Sequence, residues 1–174
     1  MASMRGGTGL TRRALIGAAA APLFAASARA AAPTAPILFI HGAGDSAASW
    51  MTQIWRFESN GFARERLFAV NLLDPLARTD DATPQPGRSS SAEHRAQLAA
   101  ALKAALDETG AGQAILIAHG RGVLAARDLL SDQATALSAP RLILCGTPNH
   151  GVFDSEQMTG SELNARGPLL RRLN

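Results

Sequence analysis

The sequence predicts an α/β fold: a doubly wound, mostly parallel sheet with helices on both faces. Four short apolar runs lack the in-and-out alternation of a half-exposed sheet, as strands covered on both sides do. Helix-length segments separate successive runs, giving the alternation of βαβ units. Two of the runs end in glycine-rich turns, "HGAGD" and "AHGRG", where such folds place a strand-to-helix connection.

The elements follow in order. Residues 1–30 read as an address: Thr11, Arg12, Arg13 and Leu15 resemble a twin-arginine export signal. An Ala-rich apolar run from Ala14 to Ala26 follows, then a small-residue cleavage pattern at Ala28, Arg29 and Ala30. That run falls short of the roughly 20 apolar residues that cross a bilayer. Residues 31–174 are expected to form one domain, exported to the periplasm or beyond. Its strands are predicted at Pro36 to Ile40, Leu67 to Leu72, Ala114 to Ala118 and Arg141 to Cys145. The first helix, about Ser46 to Asn60, places Trp50, Met51, Ile54, Trp55 and Phe57 near helical spacing and stops at Asn60-Gly61. The second, about Ser91 to Thr109, opens on the capping pair Ser90 and Glu93, buries Leu98, Ala101, Leu102, Ala105 and Leu106, and ends at Gly110. The third runs from about Arg121 to Leu130, and a last helical stretch follows the fourth strand. The polar segment "RTDDATPQPGRSSS", Arg78 to Ser91, has nothing to bury and is expected to be a mobile loop near the strand ends.

Charge excludes one class of partner. The first 30 residues hold Arg5, Arg12, Arg13 and Arg29, four of the 17 basic residues, and none of the 14 acidic ones. The remainder, 13 basic against 14 acidic, carries a net −1, so no basic surface invites nucleic acid. The single cysteine, Cys145, permits no internal disulfide and is expected to pack as a small apolar residue. No His and carboxylate spacing suggests a metal, and no cofactor is implied.

The segments "PILFIHGAGDSAASW", "ILIAHGRG" and "LCGTPNHG" together resemble the α/β-hydrolase fold, specifically small, lidless bacterial secreted lipases and esterases. The resemblance covers about residues 35 to 153. It implies that the backbone N–H groups of Ala43 and Arg121 form an oxyanion hole. It also implies that His41, Gly42, His119 and Gly122 order the two turns, and that a lipid or small-molecule ester, or a fatty acid, is the partner. The export machinery would be a second partner.

At the centre of the second turn the resemblance fails. Where the family pattern is Gly-x-Ser-x-Gly or Ala-x-Ser-x-Gly, this chain reads Ala-His-Gly-Arg-Gly, with Gly120 in the nucleophile position. Glycine has no side-chain oxygen, so acyl transfer through that position is excluded. The family's acid and histidine follow later strands. Here the sequence stops at Asn174, and the resemblance implies a C-terminally incomplete fold with an unpaired sheet edge. Asp154 is a weak candidate for the acid, while His150 lies too close in sequence to act as the base.

The other polar residues read more plainly. His94 is expected to be solvated on a helix face, and Ser46 and Ser49 to cap a helix start. A competing reading uses Gly42, Gly44 and Ala47 as a G-x-G-x-x-A dinucleotide fingerprint. It lacks the acidic residue at the end of the next strand, which closes on Asn71 and Leu72 with Asp74 only beyond.

Overall fold

In chain order the elements are β1 (Ile37–Ile40), α1 (Met51–Ser59), β2 (Leu67–Val70), β3 (Leu76–Ala77), β4 (Arg88–Ser89), α2 (Ser91–Thr109), β5 (Ile115–His119), α3 (Arg121–Leu130), α4 (Gln133–Ser138), β6 (Arg141–Cys145) and α5 (Pro168–Leu173). The computed structural model describes residues 35–174, which belong to a unit spanning Pro33–Asn174. The export segment expected over residues 1–30 lies outside the described residues.

The main sheet has the order β2-β1-β5-β6 and is parallel throughout. After β1 the chain steps to one side and builds β2; it then crosses back to lay β5 on the other side. The strand order therefore reverses between β1 and β5, and the loops leaving these two strands share the crevice where open α/β sheets hold ligands. This topology brings Gly42 beside Gly120, 78 positions apart in sequence.

Alternation along β1 divides the core. Leu38 and Ile40 pack with Leu98, Leu102 and Ala105 of α2 and with Val123, Ala126 and Leu129 of α3. Ile37 and Phe39 face the other way, against Trp50, Ile54 and Phe57. Phe39 meets Trp50 and Phe57 at ring-centroid separations of 5.4 Å. Tilted aromatic pairs at that spacing add about 0.5–1.5 kcal/mol each beyond their burial. Both faces of the sheet are thus covered at β1 and β5, but β6, expected to be a buried strand, is not: Ile143 and Leu144 are about half exposed at the sheet edge.

The capping pair predicted at the second helix forms a complete box. The Ser90 hydroxyl accepts from the Glu93 N–H at 3.2 Å, the Glu93 carboxylate accepts from the Ser90 N–H at 2.7 Å, and Gly110 closes the helix in the left-handed conformation at φ +63°.

Three expectations need correction. The segment 78–91 is pinned rather than loose: β3 and β4 pair in parallel, Ser89 and Ser90 are buried, and Asp81 accepts from the Ser91 N–H at 2.7 Å. Many of its polar side chains bond one another or the backbone, so a segment with little apolar content still folds. The stretch after β6 is α-helical only over Pro168–Leu173, with one 3₁₀ turn at Ser155–Gln157. Before it the chain turns repeatedly, and Ser155, Ser161, Glu162 and Asn164 are buried. Lastly, α4 is an added helix, started by the Asp132 carboxylate accepting from the Thr135 N–H at 2.9 Å.

Candidate active site

The crevice is built on His41. The Leu72 N–H donates to its Nε2 at 3.0 Å, so that nitrogen is unprotonated and Nδ1 carries the hydrogen, which it donates to the Gly42 carbonyl at 2.9 Å. A buried neutral imidazole thereby ties the loop after β1 to the exit of β2. Gly42 is buried on that loop, while Ala43, Gly44 and Asp45 are exposed at its tip. The Asp45 carboxylate accepts from the Ser46 N–H at 2.8 Å, and this bond holds its pKa below the usual value. The Ser49 hydroxyl acts in the same direction, with a smaller contribution from the nearby His119. Ser46 caps the following turn, its hydroxyl accepting from the Ala48 N–H at 3.4 Å; Ser49 instead donates to the Ser46 carbonyl at 2.9 Å.

Across the crevice, a single residue joins β5 to α3. That residue, Gly120, has φ +52° and ψ −125°, a conformation closed to most side chains. A non-glycine residue there costs about 1–3 kcal/mol. The position is nonetheless roomy: an added Cβ would approach only the Gly42 Cα, at 3.5 Å. The Gly120 N–H is held by the Cys145 carbonyl at 3.0 Å, which ties the turn to the end of β6. One residue on, a Cβ at Gly122 would stand 2.3 Å from the His41 carbonyl oxygen, so α3 packs against the loop after β1 at a distance only glycine permits.

His119 ends β5 and is exposed. Its ring lies between two glycines, with Nδ1 2.9 Å from the Cβ position of Gly42 and Nε2 3.4 Å from that of Gly146. Cys145, its register partner on β6, is half-buried and packs at the margin of the α1-side core.

Arg121 opens α3, so its backbone N–H has no acceptor within the helix. Its side chain, in contrast, is fully engaged and 2% exposed. The guanidinium pairs with Glu162 through Nε to Oε1 at 2.5 Å and Nη2 to Oε2 at 2.9 Å. It also donates to the Ser89 hydroxyl at 2.9 Å, the Ser89 carbonyl at 2.8 Å and His94 Nε2 at 3.2 Å. Burial pushes the Glu162 carboxyl upward, against the pull of Arg121. In comparable buried pairs, loss of one partner costs about 3–5 kcal/mol.

His94 is a correction: it is 1% exposed, not solvated. Because Arg121 can only donate, Nε2 of His94 accepts and the ring is neutral. Burial first, then the Arg121 charge, lowers its pKa to about 3.

Asp154 lies apart from these groups. It is exposed, adopts φ +62°, and lines a cavity of about 390 Å³ with His150, Phe153 and Glu156, a lining that includes neither Gly120 nor Ala43. The network of Glu162, Ser89 and His94 around Arg121 had no signal in the sequence, since its partners lie 27 to 41 positions from Arg121. Among the described residues no cluster of three metal-ligating side chains occurs, and no helix is long and apolar enough to cross a membrane.

With this geometry in place, comparison with known proteins decides the family. Residues 34–138, more than half of the chain, match the family Lipase (class 2). The chain belongs to the class 2 lipases. That match takes in Gly42, Gly44 and Ala47, and it supersedes the dinucleotide reading of those positions. Among solved structures, the mature form of a Bacillus licheniformis lipase is 25% identical over 68% of this chain and 43% of its own, with a TM-score of 0.48. A Listeria innocua gene product is 14% identical over 80% of this chain and 63% of its own, with a TM-score of 0.53. The chain therefore spans less than two thirds of the length of either. No curated protein matches it. The fold is that of an α/β-hydrolase of the lipase and esterase kind.

Proposed function

We propose that this chain is an exported α/β-hydrolase of the lipase and esterase family that holds a carboxylic ester or fatty acid without passing through an acyl-serine. In this reading the N–H groups of Ala43 and Arg121 receive the carbonyl or carboxylate oxygen, and His41, Gly42, His119 and Gly122 hold the two turns that present them. The single observation behind it is Gly120. The turn keeps φ +52° and ψ −125°, with room for a side chain, yet carries no atom that can attack. Loss of a triad serine costs on the order of a millionfold in turnover, and the oxyanion donors retain only about 10³ to 10⁴ over water. Asp154 plays no part, because it lines a different cavity. The leader directs the chain to the twin-arginine route.

The test pairs a covalent probe with a thermal shift. The purified chain is expected to remain unlabelled by a fluorophosphonate and to be stabilised by medium-chain fatty acids, by about 2.7 kcal/mol at a hundred times the dissociation constant. Labelling at any residue of the crevice, or no stabilisation by any acid or ester, overturns the reading.

A further inference from the structure

Beside the elbow, His119 ends β5 with its imidazole exposed. We infer that His119, cradled between Gly42 and Gly146 beside the side-chain-free Gly120, is a general base that delivers water to a bound carboxylic ester. The inference rests on the reading of Ala43 and Arg121 as oxygen-binding donors.

The geometry supports it in three ways. First, Gly42 borders both the ring and the elbow: Nδ1 of His119 lies 2.9 Å from its Cβ position, and its Cα is the nearest atom to a Cβ on Gly120, at 3.5 Å. The imidazole and the space above Gly120 thus border the same residue, and a Cβ-sized atom fits in that space without a contact under 3.5 Å. Second, the cradle is made of backbone. A side chain at residue 42 would displace the imidazole, and one at residue 146 would crowd it, so the two glycines leave the ring its place. Third, a carboxylate stands near. Asp45, exposed on the loop after β1, is close enough to His119 to interact with it electrostatically, and its negative charge is opposite in sign to the positive charge the ring gains on accepting a proton. Cys145 on β6 and His41 on the β1 loop are the other titratable groups nearby.

The step balances without a serine. The water oxygen bonds to the acyl carbon as one of its protons passes to His119, and the carbonyl electron pair moves onto the oxygen facing the N–H groups of Ala43 and Arg121. Collapse restores the C=O, breaks the bond to the alkoxy oxygen, and returns the proton from the imidazolium to the leaving alcohol. Acid and alcohol are the products, and no covalent intermediate forms.

The experiment measures hydrolysis of p-nitrophenyl butyrate by the full chain, beside His119→Gln, Asp45→Asn and, as a control at another exposed histidine, His150→Gln. The parent is expected to exceed buffer hydrolysis without a burst, to slow in heavy water, and to ignore fluorophosphonate. General-base catalysis contributes about 10²- to 10⁴-fold, so His119→Gln should lose at least about 10²-fold. Asp45→Asn should lose less, and His150→Gln should match the parent. Both His119 and Asp45 are exposed, so these changes leave the core intact. A parent rate equal to buffer, or a His119→Gln rate equal to the parent, overturns the assignment. If the parent is inert yet stabilised by fatty acid, His119 is not a base while the ester-holding reading stands; labelling of the parent by fluorophosphonate removes both.

Discussion

His94 lies where α2, β4 and α3 meet, and its surroundings fix its charge. Held neutral by burial and by the Arg121 guanidinium, it binds a proton only near pH 3 when folded, against about 6.5 when unfolded. Between those values the unfolded chain takes up more protons, so stability rises with pH across that window and falls as the pH drops below 6.5. Glu162, whose pKa is raised, works in the opposite direction above the usual carboxylate value. His94→Gln keeps an acceptor for Arg121 and removes the titration, which isolates one contribution from the other. Urea unfolding at pH 7, 6 and 5 should show the parent losing up to roughly 1 kcal/mol per unit more than His94→Gln does. Parallel pH profiles for the two proteins would contradict the assignment of this buried neutral ring.

At the scale of elements, local chemistry accounts for most starts and stops. The second helix begins and ends where Ser90, Glu93 and Gly110 place its boundaries, because capping is a matter of residues within one turn. Ser90→Ala removes the hydroxyl that accepts from the Glu93 N–H and should cost about 1 kcal/mol, read as a lower thermal midpoint with an unchanged circular-dichroism spectrum. No change in midpoint would show the box to be decorative. The four main-sheet strands were legible for a similar reason, a run of β-branched and apolar residues between turn signals; the two-residue strands β3 and β4 carry no such run and were not. The segment after β6 was not. Its burial depends on polar side chains such as Glu162 and Asn164, whose partners lie elsewhere in the chain, and polarity in sequence reads as exposure.

For the whole molecule, the sheet order determines both the site and its exposed flank. With the order β2-β1-β5-β6, β6 lies at an edge, and its Ile143 and Leu144 are 50% and 44% exposed, although the strand has the composition of an interior one. A flat apolar edge promotes pairing between chains. Ile143→Lys should therefore suppress concentration-dependent association in light scattering while leaving stability within about 0.5 kcal/mol. Equal association of parent and variant would clear the edge of that role. The same order placed Gly42 against Gly120, a neighbourhood that periodicity alone does not specify.

What the sequence determined by itself was the succession of the four main-sheet strands with the first three helices between them, and the glycine in the elbow, because each depends on residue identity or on spacings within a few turns. Only the tertiary structure decided that Arg121 faces Glu162, that His94 is neutral, and that His119 rests between two glycines. Those facts join residues 27 to 77 positions apart. A buried charge or an exposed imidazole acquires its chemistry from neighbours that the folded chain alone brings near.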